Sequence, residues 1–159
     1  MIRLRPAMFG DYAALFAWRN DPVTRSHSTD KDPVEFVDHL KWLDKTLGDE
    51  SVRLFVAYDD SVGTHGLGTV RLDLDKGGTA EVSITVDSAQ RGRGQASIFL
   101  SELVKIAEGL GVKTLNATIH QDNTSSLRSF ASVGFVPASR KVVKDGWVKL
   151  SLSVERHVD

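Results

Sequence analysis

Residues 90–96 read Gln-Arg-Gly-Arg-Gly-Gln-Ala and lie between a predicted strand and the most regular predicted helix of the chain. Gly92 and Gly94 allow the backbone to turn sharply and to approach a ligand closely. The unpaired N–H groups of the helix's first turn, together with the helix dipole, attract anions. Arg91 and Arg93 add positive charge. The stretch therefore predicts a binding site for a pyrophosphate.

Two common phosphate-binding loops fit this stretch poorly. A Walker A loop needs G-x-x-x-x-G-K-[ST], and neither the lysine nor the hydroxyl is in place. A Rossmann loop needs a third glycine after the first parallel strand, but Ser97 stands near that position and three antiparallel-looking strands precede it. The alternative without a ligand is a glycine-rich helix cap flanked by two solvated arginines.

Patterns on either side of the loop predict a mixed α/β domain. Apolar and polar residues alternate at 67–75, 79–87 and 148–155, which predicts half-buried strands, and Gly77-Gly78 predicts a hairpin between the first two. Further strands are predicted at 2–5, 52–59 and 113–120, and helices at 11–20, 33–47, 94–110 and 123–133. This order predicts one largely antiparallel sheet of six or seven strands with about four helices, and not a doubly wound fold.

Capping residues predict where the first two helices begin. Asp11 is expected to cap the first helix with its side chain. Asp32 as cap, Pro33 at the first position and Glu35 at the third predict the start of the second. The apolar residues of this second helix recur at helical spacing and are expected to face the core: Phe36, Leu40, Leu43 and Leu47.

Composition narrows the class of protein. The chain has 159 residues, 20 Lys and Arg against 21 Asp and Glu, and no cysteine. The length predicts a single domain, residues 1–159. The near-neutral charge disfavours nucleic acid and anionic membranes as partners, and the lack of cysteine excludes disulfides and thiolate metal sites. We expect a soluble, cytoplasmic monomer or homodimer with no metal site and no membrane span.

The glycine stretch and a second stretch downstream resemble those of a known family. Arg91 to Ala96 fits the R/Q-x-x-G-x-G/A signature, and Val86-Asp87 precede it where a central strand would end. Asn123 and Ser126, followed by Phe130 and Gly134-Phe135, fit an N-x-x-[SA] pattern closed by G-F. With the order of elements, these motifs resemble the GNAT superfamily of acyl-CoA-dependent N-acyltransferases over essentially the whole chain.

The resemblance implies a sheet that splays between strands 79–87 and 113–120 to admit acetyl-CoA. The pyrophosphate would bind the backbone amides of residues 91–96, and pantetheine would pair with Ile84, Thr85 and Val86 like an added strand. The implied cofactor-binding residues are Ile84, Thr85, Val86, Arg91, Gly92, Arg93, Gly94, Gln95, Ala96, Asn123, Ser126 and Phe130. Asn123 also suits the simpler role of a helix N-cap.

The implied reaction is direct attack of a neutral amine on the thioester, without a covalent enzyme intermediate. A backbone N–H near Val86 would stabilise the oxyanion. Strand alternation makes Glu81 the candidate general base, although an ion pair with Arg71 across the hairpin is an equal alternative. Many family members carry a tyrosine, the proposed thiolate acid, where Phe130 stands here. We therefore assign Phe130 to an apolar wall and assign no general acid.

The N-terminal half carries the signals for the acceptor. W-R-N-D-P at 18–22 and H-x-x-W at 39–42 resemble the GNAT subgroup that acetylates nucleotide-linked amino-deoxysugars, which implies substrate contacts from Arg19, Asn20, His39 and Trp42. An indole can stack on a base or a sugar, and arginine can bind a diphosphate. An edge-of-core role for His39 and Trp42 competes with this interpretation. Acetyltransferases of protein N-terminal amines and a non-catalytic acyl-CoA-binding module are the alternatives.

Overall fold

Seven strands form one mixed sheet in the order β1-β2-β3-β4-β5-β7-β6 in the computed structural model, which describes residues 1–138 and 144–154. Glu155, at the end of the last predicted strand, lies outside the described residues. The strands are β1 (Ile2–Pro6), β2 (Val52–Asp59), β3 (Gly66–Leu74), β4 (Thr79–Val86), β5 (Thr114–His120), β6 (Val136–Pro137) and β7 (Trp147–Ser153). The helices are α1 (Tyr12–Asn20), α2 (Pro22–Ser26), α3 (Phe36–Leu47), α4 (Gln95–Gly109) and α5 (Thr124–Ser132).

The sheet opens between its two central strands. Neighbouring strands are antiparallel everywhere except at β4 and β5, which run parallel. These two pair only through residues 79–81 of β4 and 114–116 of β5, and their remaining residues diverge. The predicted fold class is confirmed, because a largely antiparallel sheet splays at its one parallel junction.

Helices cover both faces of this sheet. On one face, Phe99 and Leu103 of α4 and Phe130 of α5 pack on alternate residues of the central strands, and all three are almost fully buried. On the other face, Trp18 of α1 and Leu43 of α3 form a smaller cluster with β2. The hydrophobic alternation of the strands thus accounts for two cores, one on each side. Among the described helices, none is both long enough and apolar enough to cross a membrane.

The N-terminal helices differ from the prediction. A five-residue helix, α2, follows α1 directly, so the described residues contain five helices rather than about four. The side chain of Asp11 binds Arg5, with nitrogen–oxygen distances of 2.8 and 2.9 Å, and therefore does not cap α1 although it stands at the N-cap position.

Helix α3 begins at Phe36, later than the predicted start at Pro33. The Asn20 side chain explains the delay, because its amide donates to the Val34 carbonyl and its oxygen accepts from the Val34 N–H, both at 2.8 Å. This pairing keeps residue 34 out of the helix. The buried face is also shifted: His39, Leu43 and Thr46 are buried, whereas the predicted inward residues Phe36 and Leu47 are exposed.

Candidate functional site

A groove of about 640 Å³ lies between the diverging ends of β4 and β5. Strand β4 contributes residues 82–86, and β5 contributes Thr118 and Ile119. One end of the groove is closed by the loop that precedes α4, called the glycine loop here (residues 90–96). Because the groove follows the point where the sheet stops pairing, backbone groups of β4 face it without a partner strand.

The glycine loop has the backbone geometry that the sequence predicts. Gly92 and Gly94 have positive φ angles of 78° and 69°, and Gly94 occupies the N-cap of α4. A Cβ at either position would meet no protein atom within 4 Å, so the space above the loop is open. The Gln95 side-chain oxygen is buried without a hydrogen-bond partner in the described part of the chain. Free amides at a helix N-terminus in open space fit a pyrophosphate.

Arg91 is not the free cation that the sequence suggests. Its Nη2 donates to Asp21 Oδ1 at 2.6 Å and to Thr24 Oγ1 at 3.2 Å. The bond from the Arg91 guanidinium holds the pKa of the Asp21 carboxyl below its ordinary value. Arg91 still lines the groove, whereas Arg93 is exposed and lies outside the lining.

The second motif borders the groove from the other side. Asn123 is the N-cap of α5, with Oδ1 accepting from the Ser126 N–H at 3.4 Å, and both residues also line the groove. The two roles proposed for Asn123 are therefore compatible. Phe130 is 1% exposed, packs edge-on against Phe135 with ring centroids 4.9 Å apart, and forms part of the groove surface.

Glu81 lies at the last residue pair that joins β4 to β5, opposite Asn116. Its Oε1 accepts a hydrogen bond from the Thr118 hydroxyl at 3.1 Å, and Thr118 lines the groove. The alternative ion pair with Arg71 is not formed, because Arg71 binds Asp73 on its own strand at 2.8 Å. Glu81 therefore borders the splay without lying in the groove lining itself.

Two of the four predicted acceptor residues, Asn20 and His39, are engaged or buried within the protein. Asn20 is engaged at both ends of its amide by Val34. His39 is 2% exposed and lies against the rings of Phe16 and Trp42, with centroid distances of 5.5 and 5.1 Å. Burial, with the nearby Arg19 charge as a second cause, lowers the pKa of His39. Neither residue lines the groove between β4 and β5.

The other two predicted acceptor residues are Trp42, whose ring is partly exposed, and Arg19, which has one nitrogen without a partner among the described residues. Trp42 is 37% exposed, and the Arg71 guanidinium carbon lies 5.8 Å from its ring centroid. Arg19 donates from Nη2 to the Asp30 carbonyl at 3.5 Å, while its buried Nη1 has no partner among the described residues. Neither residue lines the groove.

The sequence missed one whole wall of the groove, which comes from α2 and the residues after it. This outer wall consists of Val23, Thr24, His27, Ser28 and Thr29. Its signal was present, because Asp21 followed by Pro22 is an N-cap followed by a proline at the first helical position. Arg128 of α5 and Trp147 of β7 also line the groove and have no signature in a single sequence.

Comparison with known proteins identifies the family. The family model described as an acetyltransferase (GNAT) domain matches residues 2–136. The chain belongs to the GNAT acetyltransferases. As a GNAT enzyme it is an acetyl-CoA-dependent N-acetyltransferase, and acetyl-CoA is its cosubstrate. The predicted family, enzyme class and cosubstrate are confirmed.

Two sequence relatives and one solved structure are similar to this chain. A Bacillus subtilis (strain 168) protein that carries the name phosphinothricin acetyltransferase YwnH is 34% identical over 136 residues, covering 83% of this chain and 82% of YwnH. Acetyltransferase PseH of Campylobacter jejuni subsp. jejuni serotype O:23/36 (strain 81-176) is 28% identical over 124 residues, covering 73% and 71%. The structure of spermidine N-acetyltransferase from Vibrio cholerae with CoA and spermine has a TM-score of 0.85 at 20% identity, covering 96% of this chain and 95% of that one, and shares the fold.

Proposed function

We propose that this GNAT enzyme transfers the acetyl group of acetyl-CoA to the amino group of a nucleotide-linked amino-deoxysugar, with UDP as the candidate nucleotide. The observation that carries the proposal is the Trp42–Arg71 stack beside Glu81. A half-exposed indole and a guanidinium, close to a carboxylate at the splay, offer a surface for a base or sugar, a partner for a diphosphate and an acceptor for a proton.

Strand register supports the closeness of these groups. Asp73 is directly opposite Glu81, and Arg71 is directly opposite Ser83, two residues further along β4. Since residues i and i+2 of a strand share one face, Arg71, Asp73 and Glu81 lie side by side on the face that α3 covers. Trp42 reaches this face from α3 through its contact with Arg71.

The groove residues support a binding mode for acetyl-CoA. We propose that the amides and side chains of residues 91–96 bind the pyrophosphate, and that Arg128 adds a further cation on the α5 side. Ile84, Thr85 and Val86 present the unpaired edge of β4 to the pantetheine amides. Asn123 and Ser126 close the opposite side, and Phe130 supplies an apolar surface.

The proposed chemistry needs one proton acceptor and one oxyanion donor. Acetyl-CoA supplies an acetyl thioester, whose carbonyl carbon forms a bond to the amine nitrogen while the C–S bond breaks. Glu81, held by Thr118, takes the proton that the amine loses, directly or through one water. The Val86 N–H stabilises negative charge on the carbonyl oxygen. The leaving thiolate is protonated by water, since a thiol has a pKa of about 8.5.

Two other acceptors are the competing candidates. Protein N-terminal amines have a pKa of about 7.7–8.0, so they need no stronger base than an amino sugar does. Phosphinothricin is suggested by the name of YwnH, at 34% identity. Neither uses the Trp42–Arg71 stack for a nucleotide. The alternative of a non-catalytic acyl-CoA-binding module is wrong, because the chain is an acetyltransferase.

A thiol-release assay tests the acceptor directly. Purified enzyme with saturating acetyl-CoA is given a UDP-linked amino-deoxysugar, a peptide with a free N-terminus, phosphinothricin or spermidine at equal concentrations. We expect the highest kcat/KM with the sugar nucleotide. A higher value with the peptide or with phosphinothricin overturns the sugar assignment while leaving the acetyltransferase activity itself intact.

Variants of α3 connect the acceptor to the stack. Trp42→Leu removes the indole and should raise the KM for the sugar nucleotide by about tenfold, the usual effect of losing one base–aromatic stack. Phe36→Leu is the matched control, since Phe36 is an exposed aromatic residue of the same helix that does not touch Arg71. Equal KM values for the two variants contradict the stacking role.

A cytoplasmic location and a monomeric or homodimeric state complete the proposal. Both substrates are anionic and phosphorylated, so they do not cross a membrane unaided, and the enzyme must meet them in one compartment. Cell fractionation tests the first expectation and light scattering tests the second.

A further inference from the structure

Two contacts hold the corner between α1 and α2, one to Asp87 just before the glycine loop and one to Arg91 within it. At the end of α1, Trp18 Nε1 donates to Asp87 Oδ2 at 2.7 Å, and Asp87 in turn accepts from the Ala89 N–H at 2.9 Å. At the start of α2, Asp21 binds Arg91 at 2.6 Å. About 70 residues of sequence separate the partners in each pair, so the contacts are purely tertiary.

One carboxylate oxygen of Asp21 accepts hydrogen bonds both from the first turn of α2 and from Arg91. Asp21 Oδ1 accepts from the N–H groups of Val23 and Thr24, both at 3.1 Å, and so caps α2. The same oxygen accepts from Arg91 Nη2, which also reaches the Thr24 hydroxyl. The side chains of Asp21 and Arg91 are only 19% and 32% exposed. The first turn of α2 is therefore fixed against the side chain of Arg91.

The outer wall of the groove depends on this turn. Thr24 belongs to α2 itself, and Ser28 follows with its hydroxyl bonded to the Thr24 carbonyl at 2.8 Å. Both line the groove, as does His27 between them. In the described part of the chain, Arg91 uses only Nη2 for hydrogen bonds, and its Nε and Nη1 remain available to an anion in the groove.

We propose that Asp21 is a positioning residue that couples cosubstrate binding in the glycine loop to the placement of the outer wall. The proposal rests on the proposed function, in which a pyrophosphate binds this loop. A guanidinium is a rigid plane, so an anionic oxygen bound at Nη1 or at Nε restricts the direction in which Nη2 points. That direction sets Asp21, and Asp21 sets α2 and residues 27–29.

The consequence is an order of events. Bound cosubstrate rigidifies the outer wall, and the acceptor then meets a wall that is already placed. A coupling of this kind typically changes binding or local opening by about five- to 150-fold. Asp21 touches neither substrate in this scheme; it acts through Arg91 and the α2 backbone.

Hydrogen–deuterium exchange with CoA as the only ligand tests the coupling. In the wild-type enzyme, saturating CoA should slow exchange of the amides of residues 22–29 by about fivefold or more. In Asp21→Asn the charge that attracts Arg91 is lost, but asparagine is as good an N-cap as aspartate, so α2 is kept. We expect CoA to slow exchange less than twofold in this variant at an equal fraction of CoA bound.

Two further variants make the test specific. Asp32→Asn removes one negative charge from the neighbouring exposed segment without touching Arg91, and should behave like the wild type. Arg91→Ala leaves the Asp21 cap intact and breaks the pair from the other side, so at saturating CoA it should lose the protection as Asp21→Asn does. If either broken-pair variant retains the full slowing by CoA, direct ligand contact explains the protection and the coupling is wrong.

Failure of the coupling and failure of the proposed function give different results in this experiment. If CoA does not bind the wild-type enzyme, the glycine-loop site itself is wrong. If CoA binds and residues 22–29 exchange equally fast with and without it, the site stands and the coupling falls. A kinetic readout follows once an acceptor is found: Asp21→Asn should raise the acceptor KM about fivefold or more and leave the acetyl-CoA KM within about twofold.

Discussion

Glu81 borders the splay and is held by both strands that form it. It closes the parallel pairing opposite Asn116, and Thr118, two residues further along β5, donates to its Oε1. Among the described residues, its second oxygen has no hydrogen-bond partner. A general base needs this combination of fixed orientation and an unused lone pair.

Replacing Glu81 by glutamine should lower kcat/KM by about 100-fold near neutral pH, because the amide cannot accept the proton that the amine loses. Thr118→Val keeps the carboxylate but removes its hydrogen bond, and should cost about tenfold. Initial rates of thiol release measure both effects. Glu108→Gln, the same change on α4 outside the groove lining, is the control. Unchanged turnover in Glu81→Gln means that another group or bulk water takes the proton.

His39 makes the stability of the fold depend on pH. Burial lowers its pKa below the ordinary value of 6.5. Below about pH 6.5, the His39 side chain of the unfolded protein binds a proton, whereas that of the folded protein stays neutral. The free energy of unfolding therefore decreases as the pH falls from about 6.5 to the lowered pKa of the folded state. The unfolding free energy from urea titration should therefore fall more between pH 7.5 and 5.5 in the wild type than in His39→Phe.

The comparison is made within each variant, so any change in packing from the new ring cancels. His65→Gln is the control, because His65 is exposed. It should keep the wild-type difference between the two pH values. An equal difference in His39→Phe would assign the pH dependence to other groups.

At the level of single residues, sequence reasoning worked where a role is local. The capping position of Asn123 and the backbone freedom of Gly94 follow from their immediate neighbours in the chain. The partner of Arg91 does not, because Asp21 lies 70 residues away and a single sequence contains no record of that contact. The same holds for Thr118 and Glu81, 37 residues apart.

Among the elements, α3 shows how a tertiary contact overrides a local start signal. Asp32, Pro33 and Glu35 form a good capping pattern, yet the helix begins only at Phe36. Two hydrogen bonds with Asn20 hold Val34 outside the helix, and together they outweigh one more turn of exposed helix. Helix α4 has no such competitor and starts where its glycine pattern predicts.

The start of α4 offers a test of the glycine loop as an element. Gly94→Ala forces a side chain into a left-handed conformation, which costs about 1–2 kcal/mol of stability. The added Cβ meets no protein atom within 4 Å, and because Gly94 lines the groove we expect this Cβ to occupy part of the space proposed for the pyrophosphate. We expect the dissociation constant for CoA to rise by about tenfold or more beyond the change in stability, measured by calorimetry, since close backbone approach to the ligand is lost.

Gly111, just past the other end of α4, is the matched control. Its φ is 77°, it also has no atom within 4 Å of an added Cβ, and it lies outside the groove lining. Gly111→Ala should therefore cost the same stability and leave CoA affinity unchanged. If both variants bind CoA equally well, the phosphate does not approach Gly94.

For the whole molecule, the sequence predicts the largely antiparallel sheet better than its opening. Alternation along β3 and β4 and the Gly77-Gly78 turn determine the antiparallel meander. The splay is invisible in the same pattern, because residues 82–86 alternate in the same way whether or not β5 pairs with them. Only the resemblance to GNAT enzymes predicted it, and the pairing confined to residues 79–81 confirms it.

Because of the splay, we expect bound acetyl-CoA to stabilise the fold. Strands β1 to β4 and strands β5 to β7 meet across only three residue pairs, and a ligand that hydrogen-bonds the free edge of β4 adds to that junction.

At 100 times its dissociation constant, acetyl-CoA should stabilise the protein by about 2.7 kcal/mol, which for a chain of this length corresponds to a rise in Tm of about 5–10 °C. Differential scanning fluorimetry measures the rise, with ATP and NADH as comparison ligands and Gly94→Ala as the loop variant. We expect no shift with ATP or NADH, because neither carries pantetheine amides to pair with β4, and a reduced shift for the variant. An equal rise with ATP would mean that the loop binds phosphate without any contribution from the strand edge.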